Sequence, residues 1–497
     1  MIWICLVRPR RQRLSSTALS FGLKTWPALL VGGLVFAALP GPAHAATGLD
    51  GAAMTWPFAL PFAGLLLSIA LGPLLFAKFW HHHYGKIAAA WALMTLAALS
   101  WQAGPGAAFA SFVHALLAEY LSFILLLFAL YTVAGGVLVT GDIRGTPATN
   151  TSILALGTII ASVVGTTGAA MILVRPLIRA NLTRPHNVHV LIFFIILAAN
   201  VGGALSPLGD PPLFVGFLRG VDFFWTTRNI WLQTAIVAGL LLVVFAAVDV
   251  WRYRAEKPAG VDGPTEPLRV RGLVNILLIA AIVANTLISA TWKPGISFDV
   301  VGTHLELQNL VRDAVLVVIA GLSLWLTPDE HREANGFTWE PIREVAKLFA
   351  AIFTAIVPVI AMLNAGHGGS FGWLLTAVTT PSGAPREVAY FWFTGLMSAF
   401  LDNAPTYLLF FELAGGDPKV LMGELSGTLA AISMGAVYMG ALTYIGNAPN
   451  FMVAAIANEQ GIRMPSFFGY MLRAAAILIP LFVLLTVLPI HPLLDPH

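Results

Sequence analysis

Two acidic residues stand in stretches that are otherwise apolar. Asp402 lies between Leu401 and Asn403 in Ser398-Ala-Phe-Leu-Asp-Asn-Ala-Pro-Thr406, and Asp210 lies in Ser206-Pro-Leu-Gly-Asp-Pro-Pro212. A carboxylate inside hydrocarbon is costly and marks an ion or proton path. Such a group holds either a proton or a cation, which is the chemistry of exchange. Oxygen-bearing neighbours surround both acids: Asn403 and Thr406 beside Asp402, Ser206 and Gly209 beside Asp210, and Thr166, Thr167, Thr443 and Asn447 in related stretches. Asp402, Asn403 and Asp210 form a candidate ligand set for Na⁺, since hard cations take oxygen ligands and unwound carbonyls near Gly203, Gly209 and Gly446 add more. Helix N-termini nearby offer free amides to an anion instead. The residue types therefore suit either a cation or an anionic solute. The plainer reading is that each aspartate caps a broken helix.

Broken helices must position these groups. The apolar run Val190 to Ala199 ends in Asn200-Val-Gly-Gly-Ala-Leu-Ser-Pro-Leu-Gly-Asp-Pro-Pro-Leu-Phe214. Glycines there permit unusual backbone shapes, and prolines remove amide donors. Unwound backbone at membrane depth is tolerated only inside protein or along a wet cavity. The stretch recurs: Ala204–Phe214 aligns without gaps on Ala441–Phe451, an offset of 237 (441 − 204), with Asp210 facing Asn447. At the same offset the polar interruption at Asp402 faces Gly165-Thr166-Thr167-Gly168. Repeated breaks at corresponding places in two halves point to a transporter binding site. The expected architecture is an all-α polytopic membrane protein with two inverted repeats, each holding a re-entrant hairpin and a broken helix.

Composition agrees. The chain of 497 residues is 58% hydrophobic and 10% charged, against about 25% charged in soluble domains. Its mean hydropathy is +0.82. A net charge of +3 with no basic, aromatic-interleaved run gives no nucleic-acid surface; the expected surroundings are a lipid bilayer. The single cysteine, Cys5, excludes a Cys metal site and an internal disulfide.

Residues 1–45 read as a signal peptide: Arg8, Arg10, Arg11 and Arg13, then an apolar stretch, then Ala43-His44-Ala45. Residues 46–110 supply N-terminal helices, 111–250 a first transport repeat, 251–344 a basic linker with connecting helices, and 345–497 a second repeat. About 10 to 12 spans are expected, each near 20 apolar residues. Among them, Lys86–Trp101 reads as a short span and Ser111–Val139 as a tilted helix or a surface helix followed by a span. Arg252, Arg254, Lys257, Arg269 and Arg271 place the linker in the cytoplasm, consistent with a bacterial-type inner membrane.

Gly202-Gly203, Ser206-Pro-Leu-Gly-Asp-Pro-Pro212 and Ser398-Ala-Phe-Leu-Asp-Asn403 together resemble the ion transporter superfamily. That group includes citrate and dicarboxylate carriers, arsenite permeases and NhaD-type sodium/proton antiporters. Dicarboxylate carriers have Ser-Asn-Thr at the hairpin tip and Gly-Thr-Pro-Pro in the broken helix. Here Asp402-Asn403-Ala404 and Gly209-Asp210-Pro211-Pro212 stand in those places. Both departures introduce an acid and resemble the NhaD-type pattern. The resemblance covers about residues 110–490 and implies an elevator or rocking cycle without an organic cofactor, with Na⁺ and H⁺ as the transported ions or a small carboxylate as the alternative cargo. It leaves the oligomeric state open, a homodimer included.

Other polar residues carry weaker signals. Glu119 sits in an apolar stretch as a relay or surface residue. Arg175 and Glu412 share the 237 offset and are expected to snorkel to the interface. His81-His82-His83 reads as a solvated loop. A gated channel would not need duplicated half-sites, and no nucleotide loop, zinc spacing or nucleophile–base pair argues for an enzyme.

Overall fold

Helices stop in this chain where apolar runs give way to Gly, Pro and Asp. The computed structural model describes residues 49–256 and 267–487; the signal-peptide expectation lies outside them. Among the described residues, nine helices are long and apolar enough to cross a membrane, and Glu387–Leu401 and Ser426–Leu442 are shorter apolar helices. Strands are confined to two short antiparallel pairs. The protein is an all-α polytopic membrane protein.

Two N-terminal helices, α1 (Leu60–Leu75) and α2 (Ala77–Ala103), come first. The expected short span at Lys86 and the histidine loop are corrected here. α2 begins at Ala77, and His81, His82 and His83 lie on its first turns. Nothing between Ala77 and Lys86 breaks a helix, Gly85 costing only about 1 kcal/mol against alanine. α3 (Pro105–Ala134) starts after Gly104 and runs through a π-helical segment, Ala115–Tyr120. Next come α4 (Pro147–Val164), α5 (Thr166–Asn181), α6 (Val188–Leu197), α7 (Pro211–Leu218) and α8 (Trp225–Glu256). Two connecting helices follow, α9 (Leu273–Thr291) and α10 (Leu307–Leu326). The chain then continues through α11 (Glu340–Asn364), α12 (Glu387–Leu401), α13 (Asn403–Leu413), α14 (Ser426–Met439), α15 (Ala448–Glu459) and α16 (Phe467–Val487).

The correspondence at offset 237 extends to backbone conformation. Gly165 has φ +81° and ψ 153°, and Asp402 has φ +75° and ψ 143°. Asp210 has φ −144° and ψ 143°, and Asn447 has φ −154° and ψ 136°. Side-chain bracing corresponds too. The Ser206 hydroxyl donates to the Ser162 carbonyl, and the Thr443 hydroxyl donates to the Ala399 carbonyl. Within each break the backbone folds against itself so closely that a Cβ on Gly209 would lie 2.2 Å from the Gly203 oxygen, and one on Gly446 2.5 Å from the Gly440 oxygen.

α6 and α14 form the centre. Of the span Val188–Leu205, 83% is buried, against 33% for Trp225–Glu256. In α14 every residue from Gly427 to Met439 is buried. Its small residues admit close neighbours: a Cβ on Gly435 would meet the Phe391 carbonyl of α12 at 2.6 Å. The second helix of each hairpin packs on the helix that follows the other half's break, α13 on α7 and α5 on α15.

Polar staples hold the periphery. Leu138–Thr140, after α3, pairs antiparallel with Arg269–Arg271, before α9. Arg184, at the base of the α4–α5 hairpin, meets Asp249 at 2.6 Å and Glu256 at 2.8 Å on α8. These contacts place the end of α3, the base of that hairpin, the end of α8 and the start of α9 on one face. On α10, Arg312 and Asp313 pair at 2.8 Å, and both bond Ser122 of α3 at 2.6 Å.

Gly209→Ala and Gly446→Ala are expected to abolish recovery of monodisperse protein from detergent, since the clash is with backbone that cannot move aside. Gly239→Ala, on α8 with nothing within 4 Å of its Cβ, should hold or raise the thermal midpoint, because a helical glycine gives up about 0.5–1 kcal/mol relative to alanine.

Candidate functional site

Asp210 lies where both breaks and both hairpin tips meet. Its Oδ1 accepts from the Thr166 hydroxyl at 2.9 Å and from Asn447 Nδ2 at 2.9 Å, and its Oδ2 accepts from Asn403 Nδ2 at 2.6 Å. Thr166 heads α5, Asn403 heads α13 and Asn447 precedes α15. One carboxylate thus collects a donor from each hairpin and one from the opposite break. It is 1% exposed. No ion pair to Asp210 occurs among the described residues, and its hydrogen-bond donors are all neutral. The Thr166 amide also donates to the Gly209 carbonyl at 2.8 Å, which ties the first hairpin tip to the first break.

Asn403 is wholly buried, and its Oδ1 has no hydrogen-bond partner among the described residues. A buried acceptor left unpaired costs about 1–3 kcal/mol, so this oxygen is a ready ligand for a cation or a donor. Asp402 precedes it in a conformation that disfavours any residue with a Cβ; among the described residues only Val301 shares a positive φ without being glycine. Such a conformation costs on the order of 1–3 kcal/mol and tends to occur at functional sites.

A cavity reaches Asp210 along α3. It is lined by Leu126, Leu130 and Tyr131, by Gly165 to Gly168, by Pro207 to Pro211, and by Ile342, Ala448, Pro449 and Met452 among others. Asp210 is the one charged residue on its wall. Thr167 lines it, half-buried. The second hairpin tip reaches the site through Asn403, not through the cavity lining. Ser206, Thr406 and Thr443 turn their hydroxyls onto backbone carbonyls, Thr406 onto Asp402 at 2.7 Å. They shape the breaks and tips, and the direct donors to Asp210 are Thr166, Asn403 and Asn447.

On the far side of Asp210, Arg219 follows α7 and bridges Glu119 of α3 at 2.8 Å and Glu412 of α13 at 2.5 Å. Glu412 therefore does not snorkel to the interface as expected; it is 4% exposed and paired with the half-buried Arg219. The expected correspondence of Arg175 and Glu412 joins positions of opposite charge. Arg175 is half-buried and reaches the Gly336 carbonyl at 3.5 Å.

Two buried asparagines were passed over as site residues in the sequence. Asn200 and Asn450 are each 0% exposed and join one another at 2.7 Å, Nδ2 of Asn200 to Oδ1 of Asn450. Their counterparts at offset 237 are Val437 and Leu213, so the repeat gives no signal for them. A polar residue beside a break was the only available clue.

The sequence matches, over residues 51–490, the family described as "Putative citrate transport". It is similar to uncharacterized transporters of Mycobacterium bovis and Mycobacterium tuberculosis, each 25% identical over 305 residues, 57% of this chain and 62% of the relative. A 46 kDa membrane protein of Mycobacterium leprae is 24% identical over 309 residues, with the same coverage. The chain thus spans less than two thirds of the length of these curated relatives. Because the family match takes in both hairpins, both breaks and the connecting helices, the chain belongs to this family of membrane transporters.

Proposed function

We propose that the protein is a secondary active transporter of bacterial inner-membrane type that exchanges Na⁺ for H⁺ by alternating access. The observation that carries this reading is the environment of Asp210: a buried carboxylate that only neutral donors satisfy, beside the unpaired Asn403 oxygen. A carboxylate so placed takes a cation or a proton, and the two compete for it. The cavity wall offers an anion no cationic side chain and one carboxylate to repel it. Cation-coupled citrate transport is the second reading, favoured by the family's description.

The same reading makes residues 111–250 and 345–497 inverted repeats. Asp210 and Asn447 hold equivalent positions and touch each other, as residues on a two-fold axis do. With re-entrant hairpins, an odd number of crossings separates the start of α3 from the start of α11, so the halves enter from opposite faces. Arg252, Arg254, Arg269 and Arg271 assign the stapled face to the cytoplasm. The cavity, running toward Tyr131 near the end of α3, then serves the cytoplasmic side, and the Arg219 triad closes the opposite one.

In liposomes with internal pH followed, inward Na⁺ should alkalinise the lumen while an impermeant-cation salt should not. Asp210→Asn, which keeps the shape and removes the charge, should lower exchange by about a hundredfold or more, the scale of a lost proton-transfer group. Citrate uptake with no cation-driven pH change would sink the antiport reading.

Asp402→Gly separates coupling from capping. Glycine suits φ +75°, so the variant should gain stability of about 1 kcal/mol, seen as a raised thermal midpoint, yet lose exchange. Full exchange in this variant would leave Asp402 a helix cap.

With Cys5 replaced, Thr167→Cys should react with an impermeant maleimide from the cytoplasmic face. Adding Arg219→Gln, which frees Glu119 and Glu412 from their shared partner, should raise labelling from the other face. An unchanged ratio in folded protein would remove the triad from the gate.

A further inference from the structure

The donors around Asp210 are themselves held, and main-chain carbonyls set the direction of the chain that holds them. A carbonyl can only accept a hydrogen bond. Asn450 faces two, Gly440 and Thr443, each at 2.8 Å from Nδ2. Both its amide hydrogens are therefore committed to the second break, and its Oδ1 must accept. Asn200 supplies that bond at 2.7 Å and gives its other amide hydrogen to the Ile195 carbonyl at 2.8 Å. Asn200 Oδ1 is then left to accept, and it faces Asn447 Nδ2 at 3.3 Å. Asn447 Nδ2 also meets the Ala199 carbonyl at 3.1 Å and Asp210 Oδ1 at 2.9 Å. The amide of Asn447 thus cannot turn its oxygen toward Asp210.

From this we infer that Asn200 and Asn450 are positioning residues for the ion site: together with the Ala199 carbonyl they fix Asn447 as a donor, and so commit one oxygen of Asp210 to acceptance and leave the ligand to the side shared with Asn403. The relay also joins the two halves, since Asn200 opens the first break and Asn450 lies just past the second. This inference rests on the proposal that Asp210 takes the transported ion. Asn200 and Asn450 touch neither cavity nor carboxylate, so their effect must pass through Asn447.

Outer partners that orient a ligand typically change affinity about 10- to 100-fold. Asn200→Ala and Asn450→Ala should each raise the half-saturating Na⁺ concentration roughly tenfold, with maximal exchange per folded protein largely kept. The double variant should be no worse than the worse single, because residues in one chain of bonds are not additive. Asn275→Ala is the control for a purely structural loss. Asn275 is equally buried and bonds Thr327 and Ser323 far from the breaks; its removal should lower the thermal midpoint without moving half-saturation. Half-saturation unchanged in both relay variants, additive losses in the double, or the same behaviour as Asn275→Ala would overturn the inference. If wild-type protein takes up citrate and shows no Na⁺-driven exchange, the antiport proposal fails by itself, and the same comparison with citrate as the varied solute decides the relay.

Discussion

One buried carboxylate holds the two halves of this molecule to a common geometry. Asp210 draws a hydrogen bond from Thr166, one from Asn403 and one from Asn447, and those three residues begin helices or follow breaks in different parts of the chain. Each donor is fixed by its own backbone, so the four groups meet only if both tips and both breaks are in place together. Neutral donors satisfy the oxygens without cancelling the charge, and no cationic side chain among the described residues pairs with it.

Close backbone approach makes the meeting possible. Each break turns within reach of its own preceding glycine, and side chains as small as a hydroxyl then brace it on the neighbouring hairpin. The central helices that lead into the breaks are mostly apolar, with His189 of α6 on Asp249 at 2.9 Å and Tyr438 of α14 on Thr234 at 2.7 Å. Charged staples sit instead at the rim, where Arg184, Asp249 and Glu256 tie a hairpin base to α8.

Much of this was legible in the sequence because the repeat could be checked against itself. The matched breaks located Asp210 and Asn447, and the equal spacing located Gly165 and Asp402 although those residues share no chemistry. What united them was a backbone shape: glycine reaches it freely and aspartate under strain. Partners that the repeat does not relate to one another were not legible. Arg219 meets Glu119 and Glu412 from distant parts of the chain, and Asn200 and Asn450 have apolar counterparts, so comparison of the halves concealed them. The start of α2 was misjudged because three histidines and two lysines look like a loop, while none of them breaks a helix.

Contact between Asp210 and Asn447 restricts how alike the halves can be. A chain made of two copies of the first half would set two carboxylates within hydrogen-bond reach, able to coexist only by sharing a proton or a cation. Two copies of the second half would set two amides there and leave the acids to two copies of Asp402 at the hairpin tips. The structure sets one acid and one amide at a single pair of equivalent positions, so the two halves are not interchangeable there.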